Sequence, residues 1–295
     1  MVHHISADGA SLAPLARDLM VAYSARVQQQ PPDWRPLPVQ YADYSLWQRA
    51  ALGSEDNPGS VMSAQGAYWK QTLSGLPAAI DLPLDRPRPT DRALRGGTVR
   101  FTVPEDDHRA LLALARQHDS TMFMVTHAAL AVLTARLSGS GDVAIGTPIA
   151  GRGEEALDDV VGMLVNTLVL RTAVDPAAAF ADVLSRVREA DLAAFGHADV
   201  PFESVVDAVA PTRSTAYSPL FQILLEFQNT APVHVTAGTD GGNRRRRTRC
   251  LQVRPAVDAH REVRRDGDRS GHRRFVHVRI RRVRPGDGGG VRGAV

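Results

Sequence analysis

The stretch Thr121–Leu137 is almost wholly apolar, and a helix that is apolar all round has to be buried on most of its sides. Only a chain with a sizeable core can accommodate it. The 295 residues, 43% of them hydrophobic, suffice for one large domain or two smaller ones. His127 sits inside this stretch, and is expected as a hydrogen-bonded core residue rather than a catalytic one. Two β-branched runs follow. Asp142–Ile149 reads as a buried strand running into the loop that ends at Gly151-Arg152, and Val161–Arg171 as another, with Asn166 its polar exception. Asn166 either satisfies backbone groups or lines a channel.

Around this centre, helix and strand patterns alternate. Leu12, Leu15, Leu19, Met20 and Tyr23 recur at helical spacing behind Ser11, which can cap that helix, and an ordinary amphipathic core helix is expected there. Residues 28–38 are proline-rich and extended. Helices are expected from Tyr41 and over Val61–Leu73, the latter ending at Gly75. Leu82–Pro89 is a rigid extended connector, and a domain boundary is placed near it. A strand pattern over Gly97–Val103, amphipathic helices over Glu105–His118 and Phe180–Phe195, and a strand over Ile223–Asn229 complete the patterned part.

The chemistry-bearing stretch is His3-His4-Ile5-Ser6-Ala7-Asp8-Gly9. Histidine is the side chain whose unperturbed pKa, about 6.5, lets it take and give a proton near neutrality. On an extended strand two adjacent histidines point opposite ways, so one faces a cavity and the other packs. Asp8-Gly9 then reads as a tight turn, in which the carboxylate braces the loop and the glycine backbone can approach a reacting group. Taken alone, the pair can equally be structural, and Asp-Gly is commonly just a turn. A metal site would need further ligands at matching spacing, which no nearby cluster supplies, so no metal is expected.

The full spacing resembles the HHxxxDG motif of condensation domains of nonribosomal peptide synthetases and their acyltransferase relatives. Further stretches follow in the order of that family. Tyr41–Trp47 is similar to its YxDFAVW motif, with Tyr44 for phenylalanine and Leu46 for valine. Gly162–Thr167 resembles the glycine, apolar pair and Val-Asn-Thr motif. His197–Glu203 resembles HQDxPFE with Ala198 for glutamine, and Arg213–Leu220 matches a late arginine motif loosely. The likeness runs from His3 to about Pro232.

The resemblance implies an α/β (α+β) fold, the chloramphenicol-acetyltransferase-like arrangement of two lobes with a tunnel between them. Residues 1–80 would be a remnant of the N-terminal lobe and 81–232 part of the C-terminal lobe. It further implies amide formation between a carrier-protein-tethered acyl or peptidyl thioester and an aminoacyl acceptor. His4 would position or deprotonate the amine, Asp8 would be structural, the Gly9 amide would stabilise the oxyanion, and His3 would pack. No cofactor is expected on the chain itself; phosphopantetheine is carried by the partner carrier proteins, which with adjacent adenylation domains are the expected partners. A stand-alone acyltransferase forming esters or amides, and a catalytically inactive remnant, are the alternatives. In the family the motif lies well inside the domain, whereas here it begins at residue 3. Most of the first lobe is therefore expected to be missing, with the arginine that pairs the motif aspartate, leaving Asp8 without its usual partner.

Composition changes abruptly at the far end. Residues 241–295 hold 17 of the 35 basic residues but 5 of the 32 acidic ones, so the rest of the chain is acidic. Arg244–Arg247 opens this Arg/Gly-rich segment, which has too few large apolar residues to build a core. A nucleic-acid arm is one reading, but Phe275 is the only aromatic residue after Phe227, which leaves no stacking platform. No nucleic acid is expected. A reading-frame shift after about residue 233 accounts for the segment better. GC-rich codons can be chosen for Gly271–Gly290 that, read one nucleotide later, encode Val-Ile-Ala-Gly-Ser-Phe-Thr-Tyr-Ala-Ser-Asp-Val-Phe-Asp-Pro-Ala-Thr-Val-Ala, a strand and helix start that resembles the way condensation domains continue. One cysteine, Cys250, excludes an intramolecular disulfide, and the sequence holds no signal-peptide pattern at its start and no apolar run of membrane-spanning length. A cytoplasmic protein is expected.

Overall fold

The computed structural model describes residues 2–84, 99, 101, 103–209 and 218–227. These fall into two compact units, one made of residues 2–65 with Ile149–Asn166, the other of Gly66–Pro148 with 167–227. The arginine-rich segment beyond residue 233, most of the strand expected over Gly97–Val103, and residues 210–217 lie outside the described residues.

In the first unit the helices are α1 (Leu12–Val27) and α2 (Tyr41–Leu52). α2 starts where its capping chemistry says it should. Asp43 accepts a hydrogen bond from the Gln40 backbone in the first turn. A small apolar cluster of Tyr44, Leu157, Val160 and Leu164, with Val39 against it, ties α2 to the returning segment 155–164. α1 departs from expectation. Of its residues only Pro14 is buried, while Leu19, Tyr23 and Val27 are each more than 60% exposed, because no described element packs on the face they share. Ser11 does not cap it either; its backbone is already helical and its hydroxyl is turned elsewhere.

The second unit contains most of α3 (Val61–Thr72), then α4 (Glu105–Gln117), α5 (Met122–Ser138), β1 (Asp142–Ile149), β2 (Asn166–Ala173), α6 (Phe180–Phe195), α7 (Phe202–Val209) and β3 (Ile223–Leu224). The three strands form a sheet in the order β2-β1-β3, with β1 and β3 parallel through Ile145 opposite Ile223 and Gly146 opposite Leu224. α5 is the apolar helix the sequence requires. Thr121 caps its start by accepting from the Met124 amide, and Gly139 ends it in the left-handed conformation. Small residues Ala128, Ala131 and Ala135 let it sit against α4 and α6, and its core face joins Val143, Ile145, Val183, Leu184 and Val187. His127 is buried among them and its Nδ1 bonds Asp191 Oδ1 on α6 at 2.9 Å, the core role expected of it. Arg171 makes a second fastening, bidentate to Asp142 and donating to the Thr72 and Ser74 carbonyls at the end of α3.

Two expected strands are shorter than their patterns. The run Val161–Arg171 becomes a strand only from Asn166, and the run from Ile223 pairs over two residues. In the first case the backbone amides that a strand would spend on a ladder are spent on side chains of the motif loop, as described next.

Candidate active site

Every residue of this site lies in the first unit. His3 and His4 are not on a strand. His4–Ser6 is a single 3-10 turn, begun by His3, whose Nδ1 accepts a hydrogen bond from the Ile5 amide at 3.2 Å. A neutral His3 therefore carries its proton on Nε2. The turn changes where both rings lie: His3 and His4 are both exposed, and His3, expected to pack, serves as a local cap. The His4 ring makes no hydrogen bond to any described residue.

The chain then turns inward. Ala7 is extended and buried, and Asp8 is 4% exposed. Asp8 Oδ1 accepts from the Ser11 amide at 2.8 Å, from Ser11 Oγ at 2.7 Å and from Arg152 Nη2 at 3.0 Å, while Oδ2 accepts from the Leu164 amide at 3.0 Å. The Asp8 amide donates to the Gly162 carbonyl at 3.0 Å. Burial opposes ionisation of this carboxyl, but the hydrogen bonds from Ser11, Arg152 and Leu164 outweigh it and hold Asp8 below the usual carboxylate range. At neutral pH such a group is an anion held by four donors. It is an anchor, not a proton carrier.

Asp8 thus has a cationic partner in Arg152, and is not the uncompensated carboxylate that loss of the N-terminal lobe's arginine would leave. Arg152 is supplied from the loop after β1, 144 positions along the chain, and its side chain is only 6% exposed. Its other terminal nitrogen donates to the Leu157 and Val160 carbonyls, so the guanidinium closes its own loop as well as the ion pair. Two glycines make the approach of these segments feasible. Gly151 has φ +64°, and a Cβ there would lie 1.9 Å from the Leu164 carbonyl oxygen. At Gly162 a Cβ would meet the Tyr41 ring at 2.2 Å; with the glycine in place, Tyr41 lies flush on the segment and its hydroxyl donates to the Met163 carbonyl. Gly9, by contrast, is exposed with open space around it, and its amide donates to no described residue.

A sequence profile of the family described as Condensation domain matches residues 1–246. The chain belongs to the condensation domain family. Its fold is the chloramphenicol-acetyltransferase-like α/β fold of condensation domains. The X-domain from teicoplanin biosynthesis superposes with a TM-score of 0.72 at 32% identity, over 77% of this chain and 50% of that one. The first condensation domain of the CDA synthetase does so with a TM-score of 0.60 at 23% identity, over 79% and 49%. Among curated proteins, a dimodular nonribosomal peptide synthase of Bacillus subtilis is 49% identical over 230 residues, 78% of this chain and 10% of that protein. This condensation-domain chain therefore spans about half of the solved chains it resembles and a small part of the synthetase.

The residue that sequence reasoning missed is Arg152. It was legible as the end of a Gly/Pro loop, but nothing local to it signals a contact with the motif. The one available signal was chemical: a buried motif carboxylate demands a partner, and Arg152 follows a glycine at the end of a buried strand.

Proposed function

We propose that this chain carries the HHxxxDG catalytic element of a nonribosomal peptide synthetase condensation domain, which joins a carrier-bound acyl or peptidyl thioester to the amine of a carrier-bound amino acid. The observation that carries the reading is the contrast within one heptapeptide. His4 stands exposed with an unengaged ring, on a turn whose far end is fixed by the buried Asp8, Ser11 and Arg152 network.

In this reading His4 takes a proton from the attacking amine, the new C–N bond forms at the thioester carbonyl, the C–S bond breaks, and the proton passes to the departing thiolate. The Gly9 amide, which donates to no described residue, is the donor assigned to the oxyanion of the tetrahedral intermediate. His3 shapes the turn and Asp8 holds the loop. The phosphopantetheine arms that present both substrates belong to carrier proteins, and tethering both reactants supplies orientation and effective concentration. Residues 1–80 and 81–232 are assigned to the N- and C-terminal lobes of that domain. Membership of a longer synthetase is favoured over a stand-alone acyltransferase because the similar curated protein is itself a much longer peptide synthase.

The test is product formation from aminoacyl carrier proteins. Formation of the dipeptidyl carrier by the parent and its loss in His4→Ala support the reading. Equal rates in the two overturn it, and a chain that unfolds cooperatively without turnover points to the inactive remnant.

A further inference from the structure

Ser11 lies outside the heptapeptide, yet it is the residue on which the site converges. It occupies the position from which serine normally caps a helix, but it makes no cap hydrogen bond and is fully buried. Its hydroxyl instead faces two acceptors, Asp8 Oδ1 at 2.7 Å and the Gly162 carbonyl at 2.9 Å, and three donors. These are the Gly162 amide at 3.1 Å, Arg152 Nη2 at 3.1 Å and the Asp8 amide at 3.3 Å. A hydroxyl has one proton to give and two lone pairs to offer, so every hydrogen-bonding site on this oxygen is taken. It touches both members of the ion pair and both polar atoms of the Gly162 backbone.

We propose that Ser11 is a positioning residue for the reaction: it fastens the motif loop to the 162–164 segment and so holds the turn that presents His4. The route is short. Asp8 N–H bonds the Gly162 carbonyl, Leu164 N–H bonds Asp8, and Ser11 completes the link by satisfying Gly162 N–H and sharing its proton between Asp8 and the Gly162 carbonyl. Without the hydroxyl, Gly162 N–H and Arg152 Nη2 each lose a buried acceptor and Asp8 loses one of its donors, while α1 loses no cap because it has none from this side chain. The cost falls on the loop rather than on the helix, and through the four residues from Asp8 back to His4 it reaches the imidazole. This rests on the functional reading given above.

The experiment compares the parent, Ser11→Ala, Ser11→Thr and His4→Ala by native-state hydrogen exchange and by turnover with carrier-bound substrates. Exchange at the Asp8, Gly162 and Leu164 amides is expected to quicken about ten-fold or more in Ser11→Ala, with α5 amides unchanged. Turnover is expected to fall through kcat by about 100-fold at nearly constant KM, as for a catalytic group displaced on the order of an ångström, and Ser11→Thr restores it. Unchanged exchange at those three amides overturns the proposal, and so does an active parent matched by an equally active Ser11→Ala. A parent that forms no product overturns the functional reading instead, a result that the exchange data leave separate.

Discussion

Replacing Arg152 by methionine keeps most of the side-chain bulk and removes the charge opposite Asp8. Asp8 is left almost wholly buried, with its donors reduced from four to three, and the Leu157 and Val160 carbonyls lose the guanidinium that joins them. Stranding one member of a buried ion pair costs about 3–5 kcal/mol. At roughly 2–4 °C per kcal/mol for a structured region of this size, Arg152→Met should melt about 6–20 °C below the parent at pH 7. The pH dependence gives an independent reading. In the parent the Asp8 pKa is depressed, so its stabilisation is complete above the ordinary carboxylate value of about 3.9 and is lost as the pH falls through the lower, folded value. In Arg152→Met one of the hydrogen bonds that lower the Asp8 pKa is gone, so the carboxyl is less depressed than in the parent, less stabilisation is left to lose, and the deficit narrows as the pH falls through the carboxylate range. Thermal melts followed by circular dichroism from pH 7 down to about pH 2 measure both effects. A variant within about 0.5 kcal/mol of the parent at pH 7, or a deficit that stays constant as the pH is lowered, would refute the assignment of Arg152 as the partner of Asp8.

Gly162→Ala places a methyl where the Tyr41 ring lies and is expected to cost about 1–3 kcal/mol, read as a lowered midpoint in urea; an unchanged midpoint would show that Tyr41 does not rest on that backbone. Asp191→Leu leaves His127 without its hydrogen-bond partner in the core and is expected to lose about 1–3 kcal/mol, whereas Leu19→Ser on the exposed face of α1 should stay within about 0.5 kcal/mol; equal losses would contradict the burial described for them. The proposed reading-frame shift is decided by sequencing the gene across codons 233–295. A second frame encoding a condensation-domain continuation supports it, and its absence removes it.

Much of the second unit could be read in advance because its elements carry their own signals. α5 announces itself by a continuous apolar run with a Thr cap and a terminal Gly, and α4 and α6 by their periodicity. The first unit was less legible because its order depends on partners distant in sequence. An apolar period behind Ser11 predicts a core helix, but periodicity describes only the face a helix offers, and Leu19 and Tyr23 have nothing described against them. The β-branched residues near 161–165 predict a strand, yet Gly162 and Leu164 give their amides to Ser11 and Asp8, so side-chain chemistry overrides propensity there. Opposite faces for the His-His pair presuppose a strand. A 3-10 turn exposes both, and the cap made by the His3 ring, invisible to a pattern of polar and apolar letters, joins the backbone bonds from Ser6 and Ala7 in holding it.

The central claim is that the exposed His4, held from beneath by the Asp8 network, carries condensation chemistry. Single-turnover formation of a dipeptidyl carrier protein, followed by intact-protein mass spectrometry for the parent and His4→Ala at equal thermal stability, tests it most directly. The account predicts product with the parent and none above the uncatalysed background with His4→Ala. Product at the parental rate from the folded His4→Ala variant would contradict it.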